Sequence, residues 1–246
     1  MNASNENEGE WSGKKSNILV CVRVRPMNKG ERATSQDIIR VMDSKMVVIM
    51  DPKKMPHFRN RVRGMLDPLR AKRTREKRYA FDHVFTRKAS QEQVFEKTTR
   101  FLTNGVLNGF NATVFAYGAT GAGKTFTMLG TDSHPGCMLQ TLMHMYSRIE
   151  YYSRTSRVRY TVKISMIEIY NEHIKDLLQP TGETLDLRED PIKGPTVAGI
   201  LEVVADSAEH VMKLLRRGNS KRTQEATKAN KTSSRSHAVL QVTRTA

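Results

Sequence analysis

The stretch with the clearest chemistry is Gly118-Ala119-Thr120-Gly121-Ala122-Gly123-Lys124-Thr125. Its pattern, G-x-x-x-x-G-K-[ST], is expected by chance in about 1% of chains of this length at ordinary residue frequencies. Glycines at those positions let backbone N–H groups approach an anion without interference from Cβ. Lys124 can reach the β- and γ-phosphates of a nucleotide, and the Thr125 hydroxyl can ligate Mg²⁺. Such a loop works only between a strand and a helix N-terminus. Thr113-Val-Phe-Ala-Tyr117 before it is β-branched and aromatic, which predicts a buried strand, and Phe126-Thr-Met-Leu129 after it can begin a helix. A glycine-rich turn that binds nothing is the plain alternative.

A second group, Asn230-Lys-Thr-Ser233-Ser234-Arg235-Ser236-His237, lies where a polar stretch enters a strand. By residue type it reads as a serine-rich turn. A Ser/His hydrolase site would want a G-x-S-x-G elbow, which the sequence lacks. Its hydroxyls could instead meet a γ-phosphate and a Mg²⁺-bound water, as switch loops do.

Bulk composition narrows the setting. The chain has 246 residues, 38% hydrophobic and 27% charged, suited to one large α/β domain or two small ones with a real core. No run of 18 apolar residues occurs, so no membrane insertion is expected. The polar, acidic start is not a secretory signal, and residues 1–15 read as a flexible leader before a domain over 16–246. Two cysteines, Cys21 and Cys137, are expected as reduced thiols in a cytosolic chain, and the seven histidines show no metal-ligand spacing. The net charge of +16 points to a polyanionic partner, nucleic acid or an acidic protein surface.

The elements that must position these groups follow in order. Ile18 to Pro26 is a buried strand ending in Arg23-Val-Arg25-Pro26, with its arginines at the strand end where α/β sheets bind ligands. Ile38 to Asp51 is a hairpin turning at Asp43-Ser-Lys45. Lys53 to Arg78 carries eleven Lys or Arg against Asp67 and Glu76, either a solvated loop or a partner-binding one. Tyr79 to Phe85 is a strand. Ser90-Gln-Glu-Gln93 is a capping box for a helix that runs to Gly109. A second helix carries Met138, Leu142, Met145 and Ile149, after the turn at His134-Pro-Gly136. Tyr160 to Tyr170 is a strand, Asn171 to Leu178 a short helix, and Leu185–Arg188 with Thr196–Val204 a strand pair around the Pro191–Pro195 loop. Asp206 to Glu209 caps a helix stopped by Gly218, Asn219 to Arg235 is a loop, and His237 to Val242 a last strand.

Taken together, from about Ile18 onward, the sequence resembles the kinesin motor domain. The matching pieces are Arg23-Val-Arg25-Pro26, Phe81-Asp-His-Val-Phe85, Phe115 to Thr125, Glu168-Ile-Tyr-Asn-Glu172 with Asp176-Leu-Leu178, and the Asn230 to His237 run. The resemblance implies a P-loop NTPase fold, a mixed central β-sheet flanked by helices, with ATP and Mg²⁺ as ligands and microtubules (tubulin) as partner. Arg25 and Pro26 would border the adenine with Arg23 beside them, and Phe126 would stack where the family often has His. Gly118 to Gly123 with Lys124 and Thr125 would hold phosphate and metal. Asn230, Ser233 and Ser234 would belong to the first switch, Ser234 reaching Mg²⁺ through water, and Arg235 would pair with a second-switch Glu.

The family's second switch and later helices are not within these residues. In the family's fold, strands from that C-terminal part flank the phosphate-loop strand, so gaps are expected in the sheet. The resemblance is strongest to the kinesin-8 group, especially its ciliary branch, through Val47 to Pro52, Arg73 to Lys77, Arg222 to Glu225 and Ser236 to Val242. That implies plus-end-directed movement, microtubule shortening, a cytoplasmic, microtubule-associated location extending to the cilium or flagellum, and dimerisation through regions outside this chain. Arg70, Lys72, Arg73, Arg75, Lys77 and Arg78 would meet tubulin, with Lys193 a lesser candidate. A kinesin-derived protein that binds nucleotide and microtubules without turnover is the alternative. A nucleic-acid NTPase is disfavoured because helicase and recombinase motifs are lacking, so no nucleic acid is expected as partner.

Overall fold

The computed structural model describes residues 18–50, 76–156, 158–179, 183–192, 194–224 and 236–245. The leader and the basic stretch from 51 to 75 lie outside them, as does the 225–235 segment.

Chain order begins with β1 (Cys21–Arg23), α1 (Lys29–Thr34), β2 (Ile39–Val41), β3 (Met46–Ile49), β4 (Lys77–Ala80) and β5 (His83–Phe85). β1 and β5 form a parallel pair, and β2, β3 and β4 an antiparallel sheet of their own. The β2–β3 turn is the expected one, because the Asp43 carboxylate accepts from the amides of Lys45 and Met46 at 2.7 and 2.8 Å.

The expected capping box is present, with Ser90 and Gln93 exchanging bonds at the start of α2 (Gln91–Thr98). The single predicted helix is two. Thr99, 2% exposed, breaks it, and α3 (Arg100–Leu107) follows. The Thr99 hydroxyl accepts a 2.9 Å bond from Thr141, which ties the break to the long α5 (Cys137–Thr155). Between them stands the short α4 (Lys124–Met128).

The main core lies between α5, β6 (Thr161–Tyr170) and α6 (Ala208–Gln224). Ile164 and Val211 are fully buried in it, and Leu215 nearly so. β6 pairs along its full length with β12 (Ser236–Thr245), and on its other edge with β7 (His173–Asp176) and β11 (Val203–Val204). β8 (Thr184–Leu185) extends this sheet from β7, while β9 (Leu187–Asp190) and β10 (Gly194–Val197) form a separate hairpin.

The buried strand expected over Ile18 to Pro26 is strand only at Cys21–Arg23, with Ile18 71% exposed, because β5 is its one neighbour among the described strands. Three more expectations fail, each for a physical reason. Asn171 to Leu178 is not a helix. Asn171 and Glu172 take φ of 48° and 64° and turn the chain back as a two-residue hairpin, the geometry that matches strand twist and that Asn tolerates. Gly218 does not stop α6, which runs six residues further. A Cβ there would stand 2.5 Å from Met166 Sδ, so this glycine serves close helix–sheet packing rather than termination. Thr113–Tyr117 is not a buried strand: Phe115 and Tyr117 are 80% and 96% exposed, and no described strand pairs with the segment. The gap expected around the phosphate-loop strand is therefore located, and with it the sheet divides into separate pieces.

Candidate functional site

The loop from Gly118 to Gly123 has the backbone its sequence demands. Gly118, Gly121 and Gly123 have φ of 154°, 80° and 94°, conformations L side chains rarely adopt. Ala119, Thr120 and Ala122 complete the turn, which is closed by a 3.1 Å bond from the Ala122 amide to Ala119 O. Gly123 is the N-cap of α4, and no side chain caps that helix. The first-turn amides of α4 thus face outward uncapped, the arrangement that receives a phosphate. Lys124 Nζ folds over the loop, donating to Gly118 O at 2.8 Å and Ala119 O at 3.1 Å. Thr125 is exposed beside it. A cradle of glycines, a lysine at its rim and an adjacent hydroxyl fit a nucleotide's phosphates and Mg²⁺.

The arginines that end β1 divide their work. Arg25 lies along the loop, its Cδ 4.0 Å from where a Cβ on Gly123 would project. Its guanidinium forks onto the Glu31 carboxylate, with one arm at 2.7 Å. Glu31 is also the reciprocal member of a capping box with Asn28. Both contacts hold its carboxyl down at about 2, the Arg25 hydrogen bond first and the Asn28 amide second. Pro26 follows, its carbonyl accepting from Arg25 at 2.9 Å. Arg23 turns to the other side, under α4, where burial pushes its pKa below the usual arginine value. There its guanidinium carbon sits 5.2 Å from the centre of the half-exposed Phe126 ring.

Cys21 and Cys137 are free thiols packed with Phe85 and Val94. Burial raises both, Cys21 to about 11 with help from Asp82, so neither is a thiolate nucleophile.

Of the predicted site residues, the structure brings together Arg23, Arg25, Pro26, Gly118 to Gly123, Lys124, Thr125 and Phe126. Asn230, Ser233, Ser234 and Arg235 lie outside the described residues, as do Arg70, Lys72, Arg73, Arg75 and Lys193. Lys77 and Arg78 are exposed on β4. The residues that flank the 225–235 segment are firmly held. Arg222 donates to the buried Glu168 carboxylate at 3.1 Å and to Ser236 Oγ at 2.9 Å, so one side chain joins the end of α6, β6 and the start of β12. Sequence reasoning missed Glu31, Gln91 and Thr127 as neighbours of the site. Asn28-x-x-Glu31 is a capping-box pattern and could have flagged the first. Nothing local marks the other two.

The family model described as the kinesin motor domain matches residues 23–245. A human protein named kinesin-like protein KIF19 is 49% identical over 94% of this chain, which covers 22% of that protein. Kinesin-like protein KIN-8B of Arabidopsis thaliana is 42% identical over 93% of the chain, covering 27% of that protein. The chain thus spans about a quarter of these relatives. Among solved structures, one titled as a fast kinesin superposes with a TM-score of 0.78 at 32% identity, over 92% of this chain and 59% of the other. Another, KIF14 with AMP-PNP in complex with a microtubule, gives 0.77 at 29% identity, covering 93% of this chain and 61% of that one.

Proposed function

Because this chain belongs to the kinesin motor-domain family, we propose that it carries the nucleotide-binding half of an ATP-driven microtubule motor. The observation that carries the proposal is the phosphate loop itself, three positive-φ glycines leading into an uncapped helix with Lys124 and Thr125 at its start. Lys124 binds the β- and γ-phosphates, Thr125 ligates Mg²⁺, and Phe126 with Pro26 and Arg25 lines the base side. Mg²⁺, when bound, neutralises charge on the phosphate oxygens. Asn230, Ser233 and Ser234 complete the γ-phosphate sensor, and Arg235 is its link to the rest of the motor.

The partner is the acidic surface of tubulin, which suits a chain of net charge +16. Arg70, Lys72, Arg73, Arg75, Lys77, Arg78 and Lys193 are its contacts. The likeness to the kinesin-8 relatives supports a cytoskeletal location extending to the cilium, and plus-end-directed movement with microtubule shortening.

The test is Lys124→Ala in the full-length protein. Microtubule-stimulated phosphate release should fall at least about a hundredfold, the size of effect that loss of one electrostatic clamp produces. Unchanged release would overturn the assignment.

A further inference from the structure

The phosphate loop is steadied from beneath by side chains of three separate segments. Arg23 Nη1, at the end of β1, donates to Gln91 Oε1 at 2.6 Å and to Thr127 Oγ1 at 3.1 Å. Its Nη2 donates to Ala89 O at 3.3 Å, just before α2. Gln91 is 5% exposed. Its carboxamide faces both ways: the oxygen accepts from Arg23, and Nε2 donates to the Phe126 carbonyl at 2.6 Å. Two consecutive residues of α4, Phe126 and Thr127, are therefore tied to β1 and to the first turn of α2. Both hydrogens of Arg23 Nη1 are spent within the protein, and the guanidinium lies against the Phe126 ring.

We propose that Arg23 and Gln91 are positioning residues that seat α4, and through it the phosphate loop, for nucleotide binding. The proposal rests on the reading of Gly118 to Thr125 as a nucleotide site. It gives Arg23 a role different from contact with the base. The guanidinium acts through α4, at the residues that directly follow Lys124 and Thr125, and Gln91 joins it from the first turn of α2. Hydrogen bonds to a charged group are among the stronger ones a protein makes, and leaving the largely buried Gln91 carboxamide without its partner is costly. A small tilt of α4 moves every first-turn amide together, so the loss falls on phosphate binding.

Two ligands separate this role from a base contact: MgADP, which has base and phosphates, and magnesium tripolyphosphate, which has phosphates alone. Gln91→Glu keeps the acceptor for Arg23 but turns an oxygen toward the Phe126 carbonyl. Its affinity for both ligands should fall by the same factor, about tenfold for one charged-group hydrogen bond. Thr127→Val, which removes Arg23's acceptor on α4 at nearly constant volume, should give a smaller loss, again equal for the two ligands. Binding is measured in the cold by titration calorimetry on protein shown to be folded by circular dichroism, so lowered stability alone does not imitate the effect. Loss confined to MgADP, or no loss with either ligand in both variants, would overturn the proposal. A wild-type protein that binds neither ligand would instead overturn the nucleotide reading on which it stands.

Discussion

The two sides of the molecule are built to different degrees of closure. Around β6, strands pair on both edges, α5 and α6 cover one face, and Ile164, Val211 and Leu215 are sealed in. Around the phosphate loop, β1 pairs only with β5 among the described strands. Ile18, Val20, Phe110, Phe115 and Tyr117 stand exposed. The site residues on this side are held less by burial than by polar latches: Arg25 on Glu31, Arg23 on Gln91 and Thr127. On the closed side, shape comes from packing; on the open side, it comes from hydrogen bonds that fix a few backbone segments. A loop that must present bare amides to a ligand cannot be buried, so side chains around its base have to hold it.

The sharpest test of that contrast is a buried place where the closed side also depends on charge. Glu168 is 3% exposed, and Arg222 is its ion-pair partner. Arg222→Ala leaves that carboxylate buried and without an ion pair among the described residues, which costs about 3–5 kcal/mol. By contrast, Arg154→Ala breaks an ion pair with Glu150 that is mostly exposed on α5, and costs under about 1 kcal/mol. Urea unfolding of the two variants measures both. Equal, small losses would mean that the β6 side is not closed around Glu168.

Legibility followed the same division. Local patterns were readable wherever neighbours in sequence decide the structure: the Ser90 capping box, the Asp43 turn and the apolar stripe of α5 all stand as expected. So did the phosphate loop, because its glycines and lysine act on their own backbone. What failed depended on distant partners or on two meanings of one residue. Gly218 looked like a helix stop because the sequence does not show Met166 packed against it. Asn171 to Leu178 reads as a short helix closed by Pro180 and Gly182, while the left-handed turn at Asn171-Glu172 depends on β6 and β7 pairing. Thr113–Tyr117 has strand composition, but a strand is defined by what lies beside it, and strand propensity is chiefly a preference for a pleated, half-buried surface. The Arg23–Gln91–Thr127 latch spans 68 and 104 residues of separation, beyond the reach of any local pattern.

Acid should probe one group on each side, His144 and Glu31, in two separate windows, with a smaller effect. On the closed side, His144 lies on α5 against Phe95, with Arg100, Arg148 and Glu96 around it. Its buried Nδ1 has no hydrogen-bond partner among the described residues. Burial first, then the two arginines, lower its pKa in the folded state. The unfolded chain then binds the proton more readily, so stability is full above the ordinary histidine value of about 6.5 and is lost as pH falls below it. His83, on β5, is shifted in the same direction by burial and Lys97, so His144→Gln should reduce this decline in melting temperature without abolishing it. On the open side, Glu31 is held at about 2 against an ordinary value of 4.5. A depressed carboxyl contributes stability above its unfolded value, lost as pH falls from about 4.5 toward 2. Asp206, held down by its bond to His210, also loses its contribution in acid, so Glu31→Gln should reduce the loss in that lower window without abolishing it and leave the histidine window as it was. An acid transition unchanged by either substitution would mean that His144 and Glu31 do not contribute as their surroundings imply.

The smallest expected effect is the most informative about the open side. Phe115, 80% exposed, makes no part of either apolar cluster among the described residues. Its removal from this chain should cost almost nothing in folding free energy, as for surface substitutions generally, within about 0.5 kcal/mol. The same ring is a large apolar group on an unpaired, strand-like segment, the kind of surface that invites another chain. Phe115→Ser should therefore leave urea unfolding of the 246-residue chain unchanged while lowering its self-association in sedimentation velocity. A loss of stability as large as that of Arg222→Ala would mean that Phe115 is buried in solution. The division into a closed and an open side would then fail at the segment that leads into the phosphate loop.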